Sequence, residues 1–241
     1  MQEIWKEQAG EISSTFALDT SPVAVTFTNS EVDIGEQTKR TWLCRALRLA
    51  ATKDSQFVFD RENSACPGGS WHCGLSAPPA EQARRGLQEF LTRGEKLTHS
   101  IVSFQRMQDL GSSPPTGLSE RIYLGPMASA PLRPDIVVFV CDPEQACRLV
   151  TLDHYWDGKP IRAELTGSLC HAAISYPVVT GNTNLTLGDW TARRMQKYAS
   201  DRVFLTIPYE RMANVVLAIP ECSAGTAEVV IPEAFRGGAE E

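Results

Sequence analysis

Apolar positions Ile4, Trp5, Ile12 and Phe16 recur at helical spacing through EIWKEQAGEISSTFAL, and the pattern then changes to the two-residue alternation of SPVAVTFT. A helix brings one face round every three to four residues and a strand every two, so helix then strand is predicted. The helical period returns in TWLCRALRLAATK, with Leu43, Ala46, Leu47 and Ala50 on one stripe and Thr38 or Thr41 available as N-cap. SAPPAEQARRGLQEFLTRG carries prolines where a helix starts and a glycine where it stops. A turn cluster, MQDLGSSPPTGLSE, leads into a short strand at RIYLGPM.

RPDIVVFVCDPEQACRLV is the least ambiguous unit. Its apolar run has the length of a buried strand, Asp142 is placed to cap a helix, Pro143 suits the first helical position, and Gln145 completes a capping box. Downstream the pattern predicts a helix opening near Ser168, a loop rich in Gly, Asn and Thr at 180–189, a helix at ARRMQKYA, a strand at RVFLTIP, an amphipathic helix at YERMANVVLAI, and a polar tail, FRGGAEE. Strands interspersed with helices predict one compact domain over 1–241, of α/β or α+β class, with a mixed sheet flanked by helices.

Composition narrows the setting. A chain of 241 residues that is 42% hydrophobic can build its core without covalent staples. Its seven cysteines are an odd number, and the N-terminus has neither the basic nor the apolar segment of a secretory leader. A cytoplasmic protein with reduced thiols is expected. No apolar run approaches a membrane span, and a net charge of −6 with short basic patches (KRTWLCRALR, ARRMQK) argues against nucleic acid as partner. A small molecule, a redox partner protein or a second copy of the chain remains open.

Cysteine carries the candidate chemistry. Cys44, Cys66 and Cys170 each fall at the expected start of a helix or in a glycine-rich turn, where backbone N–H groups and the helix dipole favour a thiolate. SACPGGSWHCG adds Gly68 and Gly69, whose N–H groups can approach whatever the Cys66 sulfur binds, and Cys73, His72 and His171 as further donors. Soft thiolates select iron–sulfur clusters or zinc. Cys44, Cys66 and Cys170 are therefore expected to hold a [4Fe–4S]-type cluster, with Cys73 or His171 as fourth ligand, in electron transfer or redox chemistry on a small molecule.

Three alternatives stand beside this. The same thiolates with a histidine could hold zinc. The TGNTNLTLGD loop and the cysteine turn could form a non-enzymatic module for a cofactor such as a tetrapyrrole, or for a partner. Cys66 or Cys170 could act as a thiol nucleophile. Cys141 and Cys147 are expected in the core, Cys222 in a surface turn, and the isolated His99 and His154 in structural roles.

In order and spacing, SPVAVTF, the cysteine of WLCRAL, CPGG, PDIVVFVCDPEQA, GSLCHAAI followed by Pro177, and VFLTIPYERM resemble a prokaryotic family known as domain of unknown function 169. The resemblance implies no activity. It implies a pattern of three cysteines matching Cys44, Cys66 and Cys170, with Cys73 as a departure that favours a three-thiolate site.

Overall fold

The computed structural model describes residues 4–35, 38–77, 80–110, 114–165 and 168–232. Pro78 and Pro79, the 111–113 part of the turn cluster, and the tail FRGGAEE lie outside them. The chain runs α1 (Ile4–Thr15), β1 (Val23–Thr28), α2 (Leu43–Lys53), β2 (Phe57–Phe59), α3 (Pro67–His72), α4 (Glu81–Glu89), α5 (Ile101–Leu110), β3 (Arg121–Pro126), β4 (Ile136–Cys141), α6 (Pro143–His154), α7 (Tyr176–Thr180), β5 (Asn184–Thr186), α8 (Trp190–Gln196), β6 (Val203–Pro208) and α9 (Tyr209–Ala218). Two segments, Phe90–Gly94 and His171–Ser175, are π-helical.

The strands form one sheet in the order β2-β3-β1-β4-β6-β5, and every pairing between them is antiparallel. Of the two classes expected from the sequence, the fold is α+β. β4 shows why its pattern reads as a continuous apolar run although its neighbours are antiparallel. Val137, Phe139 and Cys141 enter one core, with residues of α1, α6 and α9. Ile136, Val138 and Val140 enter the other, with residues of α2, α8 and the Cys73–Cys170 region. Both faces are covered, so neither set of side chains can be polar.

Local signals are realised where the chain's own chemistry sets them. Asp142 accepts the Gln145 N–H at 2.8 Å while the Gln145 side chain accepts the Asp142 N–H at 3.1 Å, which closes the expected capping box on α6. Asp189 caps α8 through Ala192 N–H.

The expected caps of α2 are not used. Trp42 occupies that position with no side-chain cap bond, because Thr38 Oγ1 accepts the Val58 N–H at 2.7 Å and Thr41 bridges to Ser64. The Gly/Asn/Thr-rich stretch is not all loop: Asn184–Thr186 pairs with β6 as an edge strand. β2 and α5 had no clear sequence signal, and α3 occupies a stretch that reads as a turn. Among the described residues no helix is long and apolar enough to cross a membrane.

Candidate functional site: a four-thiol face

All seven cysteines are free thiols, and the sheet divides them. Cys141 and Cys222 are buried in the α1/α6/α9 core, and Cys147 is exposed on α6. Cys141 is thus a core residue as expected. The other two expectations reverse: Cys147 faces solvent, and Cys222 is buried instead of lying on the surface.

Cys44, Cys66, Cys73 and Cys170 gather on the opposite face. Cys44 follows the buried Leu43 in the first turn of α2, and its carbonyl accepts the Tyr198 hydroxyl at 2.7 Å. Cys66 is the N-cap of α3. Its Sγ accepts the Gly69 N–H at 3.2 Å, its carbonyl accepts the Ser70 N–H at 2.9 Å, and Pro67 fits the first helical position, where no N–H is needed. A Cβ on Gly69 would lie 3.3 Å from Leu43 Cδ1, so glycine lets α3 sit tightly on α2. Of the two glycines, Gly69 is the one whose N–H reaches the sulfur; Gly68 has more room, and a Cβ there would sit 3.9 Å from Cys66 Sγ. Cys73 ends α3, and Cys170 precedes the π-helical segment with its Sγ 3.2 Å from Ser168 Oγ.

Burial decides the protonation of this group. It pushes the Cys44 and Cys73 thiols up to about 12, and Cys170 well above its ordinary value. A negative charge on Cys66 raises each of these three further. Placement at a helix start was expected to favour thiolates at Cys44 and Cys170. The loss of hydration outweighs it.

The iron–sulfur expectation is contradicted. Among the described residues no group of three or more His, Cys, Asp and Glu side chains is placed to hold a metal ion. The sulfurs of Cys44, Cys66, Cys73 and Cys170 are close enough to feel one another's charge, but they do not converge as ligands. Cys66 is turned to Gly69, Cys170 to Ser168, and Cys73 to Ser175, with Sγ–Oγ 3.9 Å. His171 points Nδ1 at Glu164 Oε1, 3.5 Å away. The zinc alternative needs the same convergence and falls with it. In the TGNTNLTLGD stretch Thr183, Asn184 and Thr186 are buried, while Gly181 and Leu187 are exposed.

Beside the thiols lies a polar cluster that the sequence reading left unassembled. The ring of His72 stacks on Trp71 at 5.0 Å and lies 5.4 Å from His171. Burial and the neighbouring His171 hold His72 down at about 4, so it is neutral at physiological pH. His171 Nε2 is buried with no hydrogen-bond partner among the described residues.

Pro177 explains the π-helical segment. It has no N–H to give to the carbonyl four residues back, and the Tyr176 N–H bonds the His171 carbonyl instead of that of Ala172. The two carbonyls left over are met by side chains from the sheet. Asn184 Nδ2 donates to Ala172 O at 2.7 Å, and Thr206 Oγ1 to Ala173 O at 2.7 Å. Asn184 also ties down Glu164, accepting its N–H at 2.7 Å and donating to its carbonyl at 3.1 Å. Ser175 donates to the His72 carbonyl, joining this segment to α3. A proline inside a helical stretch, with a spare Asn and Thr on nearby strands, was the available signal for Asn184, Thr206 and Glu164.

The fold is antiparallel α+β, and on one face of its sheet two half-buried thiols, Cys44 and Cys66, lie beside two buried ones, Cys73 and Cys170, with no metal centre among the described residues. The family model for domain of unknown function 169, described as Uncharacterised ArCR, matches residues 11–218, and the chain belongs to that family. It is similar to Uncharacterized protein MJ0308 of Methanocaldococcus jannaschii, 25% identical over 227 residues that cover 89% of this chain and 93% of that one. No solved structure matches.

Proposed function

We propose that the protein works by covalent thiol chemistry, with Cys66 as the nucleophile. One observation carries this reading: Cys66 caps α3 with the Gly69 N–H directed at its sulfur, 3.2 Å away, while burial pushes the thiols of Cys44, Cys73 and Cys170 up. An N–H directed at a sulfur stabilises negative charge on it. Thiolate, not thiol, is the attacking form.

With a disulfide as electrophile, the Cys66 sulfur forms a bond to one substrate sulfur. The substrate S–S bond breaks, and the leaving thiolate takes up the proton that Cys66 lost. A neighbouring thiol then displaces the second substrate sulfur from Cys66, its proton passing to that leaving group. The pair is oxidised to a disulfide and the substrate is reduced to two thiols.

Timed alkylation of the native protein at neutral pH with iodoacetamide, mapped by mass spectrometry, tests the assignment. Cys147 is exposed and serves as an internal reference for accessibility. Cys66 is expected to label faster than Cys147 despite its lower exposure, and Cys44, Cys73 and Cys170 to label only on unfolding. Labelling of Cys147 ahead of Cys66 would overturn the reading.

A further inference from the structure

A separate cavity of about 430 Å³ lies where α6 and α9 meet the segment that follows α6 and the turn between α7 and β5. Asp153, Lys159, Arg162, Tyr176, Thr183 and Arg211 line it. Asp153 has a fully buried side chain. Its Oδ1 accepts the Arg211 Nε at 2.6 Å, and its carbonyl accepts Arg211 Nη2 at 2.8 Å. Burial works against the Arg211 charge, but the carboxylates of Asp153 and Asp157 outweigh it and hold the guanidinium charged.

The second carboxylate oxygen, Asp153 Oδ2, is buried with no donor among the described residues, and Thr183 Oγ1 in the same wall is buried with no partner among them. A buried carboxylate oxygen without a donor is costly to keep, which asks for a hydroxyl or ammonium group from a guest. Lys159 and Arg162, both exposed, stand at the same cavity, and neither pairs with a carboxylate among the described residues. The wall is therefore divided. One part accepts a hydrogen bond and the other attracts an anion.

We propose that this cavity binds a small organic anion carrying a hydroxyl group close to its charge, with the hydroxyl on Asp153 Oδ2 and Thr183 Oγ1 and the anionic group on Lys159 and Arg162. A hydroxy-carboxylate and a phosphorylated polyol share this chemistry. The volume suits a molecule of metabolite size. The site does not involve the thiol group, so it stands or falls apart from the Cys66 reading.

Calorimetric titration of the full chain with D-glycerate and with glycerol 3-phosphate tests it, with inorganic phosphate and glycerol as half-probes. At least one hydroxylated anion is expected to bind about ten-fold or more tighter than either half-probe. Glycerate as the tighter ligand assigns the site to carboxylates, and glycerol 3-phosphate assigns it to phosphoesters. The exposed double variant Lys159→Ala/Arg162→Ala should weaken binding about ten-fold or more, and Thr183→Val about three- to ten-fold. No binding by either anion would overturn the proposal, as would phosphate binding as tightly as both, or affinity unchanged in the double variant.

Discussion

The two faces of the sheet are built on different terms. Behind one, α1, α6 and α9 enclose a core in which Ile12, Phe139, Leu149, Leu205 and Met212 are almost wholly buried, and the helix that organises it, α6, is fixed by a capping box in its own sequence. Behind the other, an equally buried apolar set surrounds Cys73, Cys170, His72, His171, Ser175, Asn184 and Thr206. The first face is stabilised by transfer of apolar surface from water, which needs no particular partner. The second depends on named hydrogen bonds across elements far apart in sequence, each of which leaves a buried group unmet if one partner is removed. The candidate thiol chemistry lies behind the second face, where Cys66 sits among Cys44, Cys73 and Cys170.

Several substitutions and one change of pH test that contrast. Replacing Asn184 with Ala strips three bonds at once, from Glu164 N–H, to Glu164 O and to Ala172 O. A loss of about 3–5 kcal/mol in urea unfolding is expected, as large as a severe core truncation. A loss below about 1 kcal/mol would mean that the π-helical segment does not depend on the sheet.

The pH response comes next in size. His72 sits at about 4 when folded, against 6.5 when free. Between those values the unfolded chain binds a proton that the folded one refuses, so stability is complete above about 6.5 and falls as the pH drops towards 4. At pH 5 the loss from this group is about 2 kcal/mol relative to pH 7. Urea unfolding at both pH values should show that decline in the native protein and a shallower one in His72→Gln.

Thr206→Val keeps the shape and removes only the bond to the Ala173 carbonyl. It should cost about 1–2 kcal/mol by the same assay. Cys147→Ser, on the exposed side of α6, should change stability by less than about 0.5 kcal/mol while removing the slower-labelling reference thiol.

Much of the scaffold was legible because its signals are local. The buried run of β4, the Asp142–Gln145 box, the stripe Leu43, Ala46, Leu47 and Ala50, and the alternation of β1 each state their structure within a dozen residues. Cys66, with its proline and two glycines, was also recognisable as something other than packing. The short edge strand β5 was not, since Asn184 is a poor strand former whose burial becomes sensible only with the Ala172 carbonyl and the neighbouring strand in place. Cys147 and Cys222 exchanged roles for a related reason: the apolar face of α6 falls on Ala146, Leu149 and Leu152, and the turn after α9 folds back so that Cys222 joins the core.

Residue order alone marks most of the helices and strands here, and it marks which cysteines lie beside helix starts and glycines. The three-dimensional packing decides what those cysteines are. It brings Cys44, Cys66, Cys73 and Cys170 to one face yet turns the sulfurs of Cys66, Cys73 and Cys170 toward separate partners, and desolvation pushes the thiols of Cys44, Cys73 and Cys170 up so that they keep their protons. Ligand convergence and desolvation are properties of side-chain direction and surrounding atoms contributed by distant segments. Spacing along the chain carries neither.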